Sequence, residues 1–447
     1  MARKGKIALI ANGWNYEPLS KAMKGIRKCA EQEDFDIFTF LSFASYSEHT
    51  ALMQGELNIY RLCDPAAYDG VIVFSTMLNS VETATSICAL AREKKVPVVS
   101  MGMELDGISS VCVSNEEGMR DLVTHLVEEH GVKKVFFVAG TEDHVDSNAR
   151  LRVTRETLES YGLELPEEMV GYGKWSNRYT IEMVHSKIRS REEMPDAFVC
   201  ANDVMAMALA TELDKTGIRV PEDVIVTGFD DLSEGEYFYP AMTTVKQNFE
   251  EVGRKACELI FQQIREGTVE EVQRLQVPSA LVIAQSCGCG GQHKFTEAHI
   301  QYCKYSFQRN TDSKLLEQNE RSMRRVISDV SDYASLKEGL QAFYSRNHQF
   351  EGDFFAIVLN REYFENVMAS ERELWERGFR KGVEVLVSLK NGERGSRELP
   401  QDFEELVPGY RKEEGVSHTY YFSPLHYYEY NYGYVILGGE PHIMQEN

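Results

Sequence analysis

Two apolar runs of this chain, 197–201 and 224–227, stop abruptly on side chains able to grip a polar guest: Asn202 after the first and Asp230 after the second. A carboxylate accepts from two vicinal hydroxyls, and a carboxamide both donates and accepts. An arginine adds a fork of donors, and an aromatic ring a flat face for C–H groups. The same types recur behind other apolar runs. Arg152 lies in SNARLR (147–152), at the start of a helical pattern after VFFVAG, and Trp175 lies in GKWSN behind the next run. Asn12, Trp14, Asn15 and Tyr16 follow the first run, while Phe74 and Ser75 end the third. The chemistry this points to is recognition of a hydroxyl-rich small molecule, with no bond made or broken.

Each residue also has a purely structural reading. Asn202 or Asp203 would cap the helix 203–217, and Asp230 or Asp231 would cap a turn. Arg152 reads equally as a surface helix residue, Trp175 as core packing, and Glu117 as a helix-start carboxylate. Signals for catalysis are poor: the sequence has no G-x-S-x-G, no G-x-x-x-x-G-K-[ST] and no H-E-x-x-H. Cys287-Gly288-Cys289 with Cys303 matches no zinc spacing. His125 and His130, five apart on one helix, fit one face badly and read as solvated. No cofactor and no metal are expected.

The elements that would position these residues alternate. Strands at 6–12, 35–43, 68–76, 96–101 and 110–114 are separated by helices at 18–31, 48–62, 79–94 and, after the last strand, 116–130. A second series follows: strands at 133–140, 168–173, 197–201 and 224–227, with helices at 147–161, 177–191 and 203–217. Such alternation implies parallel sheets flanked by helices, with ligands taken at the carboxyl ends of the strands. Two series predict two lobes. Residues 292–348 are charged, with an interrupted apolar stripe, and read as a helical connector. Residues 349–447 read as a separate small α+β domain, with a strand at 354–360, a helix near 361–380, a strand at 384–392 and a hairpin over 418–439.

Composition narrows the class. Hydrophobic residues make up 43% and charged residues 26%, with a net charge of −22. That balance argues against direct contact with a phosphate backbone, which requires clustered Lys and Arg. No run approaches the ~18 apolar residues of a membrane helix. The start, MARKGKIALIANGW, is too short in apolar residues for a signal peptide. Nine irregularly spaced cysteines suit reduced thiols and a cytoplasmic location.

The segments AND, VPEDVIVTGFDD and PAMTTVKQ, in this order and spacing, resemble the effector-binding core of the lactose-repressor family, related to type I periplasmic sugar-binding proteins. The resemblance runs over about 6–288. It implies a two-lobed α/β sensor over 5–288, with lobe 1 about 5–130 and 245–270 and lobe 2 about 131–243 and 275–288. Three crossings would join the lobes near 130–132, 242–246 and 270–276. The resemblance aligns Arg152, Trp175 and Glu117 with ligand contacts of the family and implies a small sugar-like effector, a homodimer, and closure of the lobes as the signal. The family places Gly three residues after its arginine; here that position is Arg155, which would reshape the pocket wall. The helix-turn-helix of the family has no counterpart, so DNA would be reached only through an output module elsewhere. The closing FSPL and YGYVILG look like the end of a GAF-type domain. A solute-binding receptor of a sugar transporter is the alternative reading.

Overall fold

In the computed structural model the described residues are 5–13, 16–43, 50–78, 80–187, 194–267 and 272–290, with shorter stretches at 338–340, 354–360, 383–390, 393–394, 406–407, 410, 417–427 and 430–439. Most of the connector, the helix expected at 361–380, Cys303, Trp14 and Asn15 lie outside them. Elements are numbered in chain order. The chain divides into two units, 1–112 with 249–275 and 315–447, and 113–248 with 276–314.

The first unit is built on β1 (Gly5–Asn12), β2 (Phe35–Ser42), β3 (Gly70–Phe74), β4 (Val98–Met101) and β5 (Ser109–Val113), all parallel in the order β5-β4-β3-β1-β2. Their near-continuous apolar runs suit strands covered on both faces. Helices α1 (Tyr16–Gln32), α2 (Thr50–Leu57), α3 (Ile59–Leu62) and α4 (Val81–Glu93) link them, and α10 (Phe249–Glu266) returns to pack along α1. The strand β11 (Arg274–Val277) adds to β5.

The described strands of the last hundred residues do not form a sheet apart, against what the sequence suggested. Their strands β13 (Phe354–Asn360), β14 (Val383–Lys390), β15 (Glu393–Arg394), β16 (Thr419–Tyr427) and β17 (Tyr430–Gly438) extend the first unit's sheet to eleven strands. The junction is β16 on β2, parallel, with Thr419 opposite Ile37 and Phe422 opposite Phe40. An open strand edge presents unpaired backbone groups, and β16 satisfies them here. The buried Asp36 carboxylate accepts from the His418 backbone N–H at 2.8 Å and from the Tyr410 hydroxyl. Phe40 and Phe422 stack at 4.9 Å, and Lys6 lies 4.5 Å over the Tyr410 ring. Burying each of these phenyl rings contributes roughly 2–3 kcal/mol.

The second unit has four parallel strands, β6 (Val135–Ala139), β7 (Val170–Tyr172), β8 (Ala197–Cys200) and β9 (Ile225–Thr227), in the order β7-β6-β8-β9. Around them lie α5 (Glu116–His130), α6 (Val145–Ser160), α7 (Asn177–Lys187), α8 (Asp203–Lys215) and α9 (Ser233–Tyr237), with β10 (Thr244–Lys246) antiparallel to β12 (Ala280–Val282). Helix α5, expected in the first lobe, belongs to this unit, so the first division falls at 112/113 and not near 130. The cause is its apolar face: Met119, Leu122, Val123 and Leu126 are buried in the same core as β6 and β8.

Candidate functional site

Polar side chains gather at the carboxyl ends of β6, β8 and β9. Strand β9 ends on Gly228 and Phe229, and the chain then turns sharply at Asp230, whose φ of +125° is rare outside glycine. Backbone held in such a conformation marks a position that its surroundings over-determine. Here the Asp230 N–H donates to the Val245 carbonyl at 2.9 Å, and the Asp230 Oδ1 accepts from Gln247 Nε2 at 2.6 Å.

Facing Asp230 is Arg150, which is 4% exposed. Its Nη1 is 3.7 Å from Asp230 Oδ1 and donates to the Ala201 carbonyl at 2.6 Å; its Nε donates to Asn115 Oδ1 at 2.9 Å. The guanidinium carbon sits 3.7 Å over the Phe229 ring, a favourable cation–π position. Asn115 Nδ2 in turn donates to Asp146 Oδ1 at 2.8 Å. Burial lowers the Arg150 pKa from the usual arginine value, opposed by Asp230, Asp146 and Asp203. An arginine stays cationic through such a shift, so the site holds a fixed positive charge with carboxylates on either side.

Beneath it lies Asp203, fully buried. Its Oδ1 accepts from Thr244 Oγ1 at 2.6 Å and its Oδ2 from the Leu232 N–H at 2.9 Å. Burial first, and then the charge of Asp230, push its carboxyl up to about 7.

Of the residues singled out from sequence, Asn202 lies beside this group. Its Oδ1 caps α8, accepting from the Met205 N–H at 3.0 Å, in agreement with its structural reading. Trp175 follows β7 with φ +58° and lays its indole against Gly140 at the end of β6. A Cβ on Gly140 would come within 2.1 Å of that ring, so only glycine admits it. The indole meets His144 edge-on, ring centroids 4.8 Å apart. Glu117 is exposed in the first turn of α5, two residues after Asn115. Phe74 is in the other unit, wholly buried against Phe249 at 5.8 Å.

Arg152 is elsewhere. About half exposed, it pairs with Glu116 at 2.7 Å and Glu156 at 2.8 Å. Arg150, not Arg152, lies against Asp230, because Ser147, Arg150, Leu151, Thr154 and Leu158 form the buried stripe of α6 and Arg152 falls on the opposite face. Arg155, expected to reshape the pocket wall, pairs with Glu167 at 2.5 Å. That stripe was the signal available in the sequence. Asn115, Asp146 and Gln247 carried none, since their meeting depends on three separate elements.

One further group corrects the expectation of solvated histidines. His125 and His130 converge with Cys287 and Cys289, their four donor atoms all within 4.8 Å of one another.

Residues 123–287 match the family model of a periplasmic binding protein-like domain. The transcriptional regulator CelR of Thermobifida fusca is 31% identical over 221 residues, covering 48% of this chain and 64% of that protein. The repressor MelR of Bacillus subtilis is 27% identical over 280 residues, covering 60% of this chain and 74% of that protein. The chain spans between about half and two thirds of the length of the first relatives it matches. A solved complex of CelR with cellobiose superposes with a TM-score of 0.52 at 26% identity, covering 63% of this chain and 84% of that one. Among the described residues no helix is long and apolar enough to cross a membrane. The two parallel sheets with their flanking helices are therefore the periplasmic-binding-protein-like α/β fold, in the form seen in transcriptional regulators of the lactose-repressor family.

Proposed function

We propose that residues 5–288 form the effector-binding region of a bacterial transcriptional or signalling regulator, and that the effector is a small sugar or sugar derivative gripped at the carboxyl ends of β6, β8 and β9. The observation that carries this reading is the buried Arg150 facing the strained Asp230 across 3.7 Å, with Ala201, Asn115 and Gln247 holding both side chains in place. A preorganised cation and anion side by side suit a guest whose hydroxyls donate to one and accept from the other. Trp175 is proposed as the apolar platform and Asn202 as a further polar contact. The solved complex of CelR with cellobiose supports a saccharide over a nucleotide.

The reading includes a homodimer in the cytoplasm, with effector binding favouring one of two arrangements of the protein. A ligand shifts such an equilibrium only by its differential affinity; a ~10-fold preference supplies about 1.4 kcal/mol. DNA contact is proposed to be indirect, since a net charge of −22 is poorly suited to a phosphate backbone. No enzymatic activity is proposed, in keeping with relatives that are regulators.

The test is a thermal-shift screen against mono- and disaccharides, sugar phosphates and nucleosides, followed by calorimetric titration of each stabilising compound. Asp230→Ala removes a charged acceptor and is expected to weaken saccharide binding by at least about tenfold while the far-ultraviolet circular dichroism is unchanged. Unaltered affinity would reject the site, and stabilisation by nucleosides alone would reject the ligand class.

A further inference from the structure

We propose that His125, His130, Cys287 and Cys289 bind a zinc ion in a closed tetrahedral site that fastens the turn at 286–289 to the last turns of α5. The separations support a common centre. His125 Nε2 is 3.3 Å from His130 Nε2 and 3.6 Å from both Cys287 Sγ and Cys289 Sγ, and Cys289 Sγ is 3.2 Å from His130 Nε2. A zinc tetrahedron with Zn–N of about 2.0–2.1 Å and Zn–S of about 2.3 Å has edges of about 3.3 Å between nitrogens and about 3.5 Å between nitrogen and sulfur. Hydrogen bonding accounts for these contacts poorly. A neutral imidazole nitrogen has one proton or one lone pair, and His125 Nε2 has three partners aimed at it.

The backbone holds the donors in this arrangement. His125 and His130 are separated by four residues, within the H-x3–5-H range of structural zinc sites. His130 is the last residue of α5, followed by the left-handed Gly131. On the other side, Ser286 fixes the chain by donating to the Val226 carbonyl at 2.5 Å and accepting from the Thr243 N–H at 2.8 Å. Cys287 and Cys289 then bracket Gly288, whose φ of +98° reverses the chain and lets both sulfurs face one point. A C-x-C pair is tighter than usual in zinc proteins, and this glycine makes it workable.

Two imidazoles and two thiols are a soft N/S donor set of the kind that selects zinc over magnesium or calcium. Binding one Zn²⁺ would release two protons, one from each thiol, leaving a neutral four-coordinate centre. With all four positions filled by protein there is no vacant one for substrate, so the role is structural. The ion would lock α5, whose opposite end carries Asn115 against Arg150, to the segment through which the chain leaves the sensor fold.

The test uses the full chain, reduced and metal-free, titrated with cobalt(II) and then zinc(II). Expected are one equivalent of cobalt, the visible d–d bands of a tetrahedral ion, thiolate-to-cobalt charge transfer from two sulfurs, and displacement by zinc. Cys289→Ser, at the exposed donor, should halve the charge-transfer intensity and weaken binding by at least about tenfold; His130→Ala should weaken it similarly. Cys303→Ser should leave the spectrum unchanged. Should His130→Ala fail to fold, Cys289→Ser at the exposed donor suffices. Absence of tetrahedral cobalt bands in the wild type, identical spectra in Cys289→Ser and His130→Ala, or loss of the bands in Cys303→Ser would each overturn the assignment.

Discussion

The two ends of α5 present opposite kinds of convergence. At its start Asn115 belongs to a network in which every named polar group already has a partner: Arg150 on Ala201 and Asn115, Asp230 on Gln247, Asp203 on Thr244 and Leu232. At its finish, four atoms able to ligate a metal crowd one point. The first arrangement is complete without a guest and, on the proposed function, would recognise one by exchanging some of its bonds. The second is completed only by a cation. A buried polar network that is satisfied can be rigid and selective, whereas one short of partners costs free energy until something fills it.

The largest effect that would break this contrast comes from Arg150→Met. Removing one member of a buried charged group strands the others, and a loss of about 3–5 kcal/mol in urea unfolding is expected with no ligand present. A change below about 1 kcal/mol would mean that the network is not complete in itself. Asp203 tests the same end through pH. Its carboxyl titrates at about 7 when folded, against an ordinary value of 3.8. Below about pH 4 it is protonated in both states and its contribution is level. Between about 4 and 7 only the unfolded chain loses the proton, so stability falls as pH rises, and the loss is complete above about 7. The total is at most about 4 kcal/mol. Asp203→Asn, which can still accept from Leu232 while Thr244 turns its hydroxyl, should flatten the stability profile between about pH 5 and 7 relative to wild type.

At the other end of α5, Gly288→Ala forces an L side chain into φ +98° and should cost about 1 kcal/mol without metal. It should also weaken cobalt binding; equal cobalt affinity in the variant would show that the turn is not what aims the two sulfurs. The smallest effect sharpens the site itself. Arg152→Ala removes two exposed pairs, with Glu116 and Glu156, and should shift stability by less than about 1 kcal/mol with no change in saccharide affinity. Loss of binding in that variant would restore Arg152 to the site in place of Arg150.

The strand ends at Asn202 and Asp230 were legible because an apolar run that stops on a polar residue is a local pattern, and a parallel sheet puts those stops on one edge. The same periodicity gave both series of strands and helices and the α/β class. Arg150 against Arg152 is a question of helix phase, answerable from Ser147, Leu151, Thr154 and Leu158 but invisible when the segment is matched as a string. Three things were decided only by tertiary structure. Strand β16 takes the open edge of β2, and nothing in either sequence names the other, since edge pairing is a long-range choice among many compatible strands. Helix α5 joins the second unit because its apolar face fits that core. His125 and His130 meet Cys287 and Cys289 because the end of a helix and a glycine turn bring together residues some 160 positions apart in the chain. Sequence periodicity determines what each segment is, through side-chain burial along its own length; which segments share an edge or a point in space follows from the packing of the whole.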